Sequence, residues 1–257
     1  MYTTKMTPDN AFEESELKRI VRARILDALT DHLKNRKIQP RVFTLPGTSF
    51  ELEDSIRAIY GNKTEFAGVE RDPAVFARAA RLARGMGLKF SLTQETDLEF
   101  WQRSCAEPFD LIWLDYCGSW CRDKVESIRA IFSQRRLRFR KDSNPILGLT
   151  ILAQRDHGLA DLIETVRPVV QASGQRLNFL ARIGGIPMVI NKMANDYGMS
   201  ARPLSILRYR DRTRSERPSR MLMFLFEILK GRQEFDVWSV PTTNMLQDYA
   251  SLSDQQI

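Results

Sequence analysis

Long apolar runs are missing from this 257-residue sequence: nothing approaches the roughly 18 consecutive apolar residues that cross a bilayer. The opening MYTTKMTPDNAFEESELKR also lacks the apolar segment of a secretory signal. A cytoplasmic, intracellular chain without membrane contact is therefore expected, the nucleus being left open. Cysteine is scarce. Cys105, Cys117 and Cys121 are an odd number in a long chain, which suits a reducing compartment better than a disulfide scaffold. The spacing Cys117-x-x-x-Cys121 can in principle ligate a metal, but His32 and His157 are the only histidines and no second cysteine pair exists. The four-ligand zinc pattern is absent, and no metal is expected.

Acid is the other shortage, and it is local. From Cys121 to Arg232 there are 22 Lys+Arg against 10 Asp+Glu, while the rest of the chain carries 17 against 22, so the net +7 resides in the second half. Two clusters dominate: RRLRFRK, with Arg135, Arg136, Arg138 and Arg140, and the series Arg202, Arg208, Arg210, Arg212, Arg214, Arg217 and Arg220. Only Asp211 and Glu216 lie inside the second cluster to pair with it. Such arginine density is the electrostatic footprint of a phosphate-bearing partner, so nucleic acid is the expected partner, held by Arg135, Arg136, Arg138, Arg140, Arg210, Arg212 and Arg214. The bland alternative is a solvated face of arginines paired to acids. An acidic lipid surface has less support, because no basic amphipathic helix with an aromatic face is evident.

With 43% hydrophobic residues the chain can bury a sizeable core in one main domain. Residues 9–36 read as a helix, with Leu17, Ile20, Val21, Ala28 and Leu29 at helical spacing. Short apolar runs then alternate with helical segments. Strands are expected at 41–47, 65–72, 89–93, 109–116 and 145–154, and helices at 52–62, 73–87, 96–104, 122–139 and 158–172. Asp72 followed by Pro73 is a helix start, and Thr96-x-x-Glu99 is a capping box. Continuous apolar strands alternating with helices imply a doubly wound, mostly parallel sheet covered on both faces, an α/β fold. Residues 203–211 and 219–230 break the alternation: two strand-like runs with no helix between them, expected as an antiparallel hairpin at the sheet edge. The expected boundaries are a helical lead-in at 1–40, the α/β domain at 41–232 with an insertion at about 173–202, and a tail at 233–257.

Ligands of such sheets lie beyond the carboxyl ends of the strands. There stand LPG (Leu45, Pro46, Gly47), VERDP with Glu70 and Arg71, and TQETD with Glu95, Thr96 and Asp97. The fourth strand ends in FDLIWLDYCGSW, with Asp115, Tyr116, Cys117, Gly118 and Trp120. In order and spacing this resembles the class I S-adenosylmethionine-dependent methyltransferases, whose parallel sheet also ends in an inserted antiparallel hairpin. The family's first loop has the form acidic-x-Gly-x-Gly-x-Gly, where this chain has the single Gly47.

The resemblance implies a cofactor, S-adenosylmethionine, bound by Leu45, Pro46, Gly47, Glu70, Arg71, Thr96 and Asp97, with Pro46-Gly47 passing its methionine part and Glu70 accepting from the ribose hydroxyls. Asp97 is the expected contact to the adenine amino group, with Glu95 next. Thr96 and Asp97 can equally be no more than helix caps. Asp115-Tyr116-Cys117-Gly118-Ser119 looks like the Asp-Pro-Phe-Gly-Ser variant of transfer-RNA guanine amino-group methyltransferases, Tyr116 standing where proline does and Cys117 where the aromatic does. It implies Asp115 as acceptor for the hydrogens of an exocyclic amine, with Tyr116 or Trp120 as a stacking surface, in RNA or DNA base modification. Cytosine carbon-5 chemistry through Cys117, a strand end and turn without chemistry, and a catalytically inactive module that binds nucleic acid or a protein remain as alternatives. A nicotinamide oxidoreductase lacks its Gly-x-Gly-x-x-Gly loop.

Overall fold

A computed structural model describes residues 16–33, 38–46, 49–103, 107–116, 118–153, 158–170, 174–211 and 219–238. In chain order the elements are α1 (Glu16–Leu33), β1 (Arg41–Thr44), α2 (Glu51–Tyr60), β2 (Glu65–Val69), α3 (Pro73–Gly85), β3 (Phe90–Thr93), α4 (Asp97–Gln102) and β4 (Leu111–Asp115). There follow α5 (Arg122–Ser133), β5 (Ile146–Leu152), α6 (Leu159–Val166), α7 (Gly174–Leu180), a π-helical turn (Ala181–Gly185), α8 (Ile186–Asp196), β6 (Met199–Asp211) and β7 (Ser219–Lys230).

One seven-stranded sheet runs in the order β3-β2-β1-β4-β5-β7-β6. The first five strands are parallel, and β7 enters antiparallel between β5 and β6. This is the expected doubly wound sheet with its terminal hairpin. β6 occupies the edge, where Pro203 does least harm: a register shift between Pro203 and Ser205 absorbs the missing N–H.

Alternation along β4 shows why central strands read as unbroken apolar runs. Leu111 and Trp113 pack among Val21, Ile25 and Leu29 of α1, Leu52 and Ile56 of α2, and Ala79 and Ala83 of α3. Ile112 and Leu114 face Trp101 of α4, Ile128 and Ile131 of α5, Leu162 of α6 and Ile190 of α8. Both faces are covered, so neither can be polar. The segment expected as an insertion completes the second layer: α8 packs Ile186, Ile190 and Met193 into that core and leads directly into β6. The chain after β7 is also held, since Asn191 and Asn195 both donate through Nδ2 to the carbonyl of Gln233, at 3.0 and 3.3 Å.

α5 is shorter than its expected span of 122–139. It ends at Ser133, and Arg135 takes φ 51°, in the left-handed region. The arginine-rich residues that follow run beside the start of β4, with Leu137 bridging Phe109.

Candidate active site

Strand order reverses between β1 and β4: the chain leaves β1 for β2 and β3, then returns on the other side at β4. The two strands stay paired as far as Leu45, whose N–H donates to the Trp113 carbonyl at 3.2 Å, and then diverge. A crevice at this point is where an open α/β sheet binds its ligand. Its floor is tight. A Cβ on Gly68 of β2 would lie 2.5 Å from the Thr44 carbonyl oxygen and 3.0 Å from Pro46 Cδ, so only glycine allows β2 this close to the end of β1. Leu45 is half-buried and Pro46 buried, while Gly47 lies outside the described residues.

The loop after β1 closes on Phe50, which caps α2 at φ 53° and ψ 26°. Glycine would adopt this conformation freely, and a phenylalanine pays about 1 kcal/mol for it. The ring is 1% exposed and meets Phe90 edge-on at a centroid distance of 5.1 Å. Burial on that scale, about 2 kcal/mol, offsets the backbone strain. The glycine-poor loop is thus partly a loop in which an aromatic has taken a left-handed position.

Glu70 follows β2, half-buried, with one carboxylate oxygen accepting from the Asp72 N–H at 2.7 Å. Asp72 caps α3 by accepting from the amides of Ala74 and Val75, as its sequence context predicts. Arg71 is exposed beside it. After β3, Thr96 and Glu99 form the reciprocal capping box, which gives Thr96 a structural task. Glu95 is ion-paired with Arg103. Asp97 differs: its Oδ2 accepts two hydrogen bonds of 2.5 Å, from the Tyr116 and Ser127 hydroxyls.

Asp115 ends β4 exposed, and its Oδ1 accepts from the buried Thr150 hydroxyl on the neighbouring strand. Tyr116, one residue on, points to the opposite face. It is 8% exposed, its ring lies 5.0 Å from the Lys124 ammonium, and its hydroxyl is on Asp97. Burial, with the Asp97 charge adding to it, raises the phenol well above its ordinary range, so it stays a donor. Trp120 is buried too. Neither ring is presented to the crevice as the stacking surface that the sequence suggests. Cys117 lies outside the described residues.

Sequence reasoning passes over Glu53. It is 4% exposed in the first turn of α2, accepts from the Thr44 hydroxyl at 2.6 Å, and is pushed up by burial, the Asp115 charge adding in the same direction. The available signal is its position: Glu53 falls on the apolar stripe of Leu52, Ile56 and Tyr60, where an acid is out of place.

The first arginine cluster is not an open basic surface. Arg136 is 4% exposed and donates through Nη2 to the carbonyls of Trp101 and Arg103. Arg140 grips Asp110, itself 2% exposed, with Nε and Nη2 at 2.6 and 2.9 Å from its two oxygens. Arg138 lies near Asp110 and Glu107. These groups stand at the amino ends of β1 and β4, opposite the crevice, and only Arg135 of the four is exposed. The cluster is internal because the chain after α5 runs along the strand ends rather than continuing as a helix. Arg210 lies in β6, while Arg212 and Arg214 lie outside the described residues.

No family model matches the sequence, and no curated protein matches it. Solved structures do match in shape. The plantazolicin methyltransferase BamL, in complex with a triazolic desmethylPZN analog and SAH, superposes with a TM-score of 0.50 at 10% identity over 82% of this chain and 86% of that one. A SAM-dependent methyltransferase from Agrobacterium tumefaciens gives 0.47 at 14% identity, over 80% of this chain and 61% of that one. The strand order, the inserted β7 and the first of these superpositions agree: the chain has the class I methyltransferase fold.

Proposed function

We propose that the chain is an S-adenosylmethionine-dependent methyltransferase. The observation that carries this reading is the row of carboxylates beyond consecutive strand ends, Glu70 after β2, Asp97 after β3 and Asp115 on β4, on either side of the switch point. The residues present fit the adenosine half of the cofactor. Glu70 offers a carboxylate to ribose hydroxyls and Asp97 one to an adenine amino group. The Thr93 hydroxyl, buried at the end of β3 without a hydrogen-bond partner among the described residues, is a polar atom in need of one. Leu45 and Pro46 lead the chain past the methionine half, and Arg71 and Thr96 flank the two acids.

When bound, S-adenosylmethionine supplies an electrophilic methyl group on sulfur. Asp115 would accept a hydrogen bond from an acceptor amine and so orient its nitrogen lone pair for attack, a matter of positioning and electrostatics. Thr150 fixes the carboxylate from the neighbouring strand. A base amino group of a nucleic acid is the proposed acceptor, supported by the positive second half of the chain and in particular by Arg210, Arg212 and Arg214. A module that binds a partner without cofactor is the second reading, and it is favoured by a first loop that has the single Gly47 and holds a buried phenylalanine, Phe50, in the left-handed conformation.

Transfer of a labelled methyl group from S-adenosylmethionine tests the reading, with transfer RNA, duplex DNA and single-stranded DNA as acceptors. Incorporation into one nucleic acid, lost on Asp115→Ala, supports it. Incorporation that persists in Asp115→Ala removes Asp115 from the acceptor site.

A further inference from the structure

The tyrosine of LDYCGSW sits next to the proposed acceptor residue yet does nothing toward an acceptor: it is buried and bound to the other end of the crevice. Its hydroxyl and that of Ser127, 1% exposed in α5, converge on a single oxygen of Asp97 at 2.5 Å each. The two donors come from different elements, the end of β4 and the second turn of α5. We infer that Tyr116 and Ser127 are positioning residues for the cofactor's base: by holding Oδ2 of Asp97 they direct its Oδ1 to the adenine amino group and so set selectivity for adenine. This rests on the methyltransferase reading above.

A carboxylate can rotate about its bond to the chain, and a half-buried one at a helix start has room to do so. Two hydroxyls on one oxygen remove that freedom. Ser127 is fully enclosed, and burial, with the Asp97 charge adding to it, raises the phenol well above its ordinary range, so the tyrosine donates at neutral pH. The other oxygen then has one role left, to accept. Among the described residues no donor reaches it.

An adenine amino group meets that oxygen as a donor. A base with a carbonyl at the same position meets it as a second acceptor, so the interaction changes from attraction to repulsion. Loss of a hydrogen bond to a charged group corresponds to roughly tenfold to hundredfold in affinity. The arrangement also gives a physical sense to tyrosine at a place where the resembling motif has proline: proline has no hydroxyl to reach Asp97.

The test is calorimetric titration with S-adenosylhomocysteine and with its inosine counterpart, S-inosylhomocysteine, in the wild type, Tyr116→Phe, Ser127→Ala and Ser127→Thr, each first shown to unfold cooperatively. The wild type is expected to prefer the adenosyl compound by about tenfold or more. Tyr116→Phe and Ser127→Ala should weaken the adenosyl compound about fivefold or more while leaving the inosyl compound nearly unchanged, so that the preference shrinks. Ser127→Thr, which keeps the hydroxyl, should retain it. Should Tyr116→Phe fail to fold, the serine pair carries the comparison alone. Variants that weaken both compounds equally, or that keep the full preference, overturn the inference and reduce both residues to packing. A folded wild type that binds neither compound overturns the methyltransferase reading itself, and the inference falls with it.

Discussion

At the scale of single residues, the buried acids and bases decide how this chain answers to pH. Glu53 is raised above the ordinary carboxyl value, chiefly by burial. Between its unfolded and folded values the native state therefore binds more protons than the unfolded one. Stability attributable to Glu53 is present below the unfolded value, near pH 4.5, and is lost as pH rises through the folded value. Glu53→Gln keeps an oxygen for the Thr44 hydroxyl and removes the titration. It should stabilise the protein at pH 8 by on the order of 1 kcal/mol and flatten the stability curve above pH 5, as read by urea unfolding across pH. An unchanged curve would mean that Glu53 does not titrate in this range. The sequence shows this residue as an acid on an apolar helix stripe and no more, because hydrophobic periodicity marks a position as buried without saying what a polar group there is bonded to. Asp97, by contrast, is legible as a candidate site residue from its place after the third strand. Its partners, Tyr116 and Ser127, come from distant parts of the chain and are not.

Elements carry the fold, and most are legible. Parallel strands buried on both faces read as unbroken apolar runs, so β2, β4 and β5 stand out in the sequence, whereas β6 and β7 are marked by the absence of a helix between them. Capping chemistry places the starts of α3 and α4. Illegible are features set by contacts between elements: the end of α5, which a left-handed Arg135 decides, and the docking of α8 as part of the main layer. Gly68 belongs to this scale, for it lets two strand ends meet at the crevice. Gly68→Ala puts a methyl group 2.5 Å from the Thr44 carbonyl. It should cost about 2 kcal/mol in stability and weaken S-adenosylhomocysteine, since the Leu45–Pro46 turn must shift. Reduced stability with unaltered affinity would show that the turn does not line the binding site.

For the whole molecule, charge counting finds the right total and an incomplete map. The excess of arginine in the second half is real, but Arg136, Arg138 and Arg140 serve carbonyls and acids at the amino edge of the sheet. Composition cannot distinguish an arginine that neutralises a buried aspartate from one that waits for phosphate. Arg140→Ala should therefore destabilise the fold by about 3 kcal/mol, because Asp110 is left buried with its main partner gone. It should also leave the salt dependence of nucleic-acid binding unchanged. Replacing Arg210, Arg212 and Arg214 together should instead flatten the slope of log affinity against log salt by about 2, at about 0.7 to 0.9 for each phosphate no longer neutralised. The opposite pattern would return the polyanion surface to the amino edge.

All of this turns on whether the crevice holds the cofactor. The most direct measurement is calorimetric titration of S-adenosylhomocysteine into the folded wild type and into Glu70→Ala. Micromolar binding by the wild type, abolished in Glu70→Ala, is the predicted result. No binding by the wild type up to millimolar ligand, or binding that Glu70→Ala leaves intact, would contradict the account.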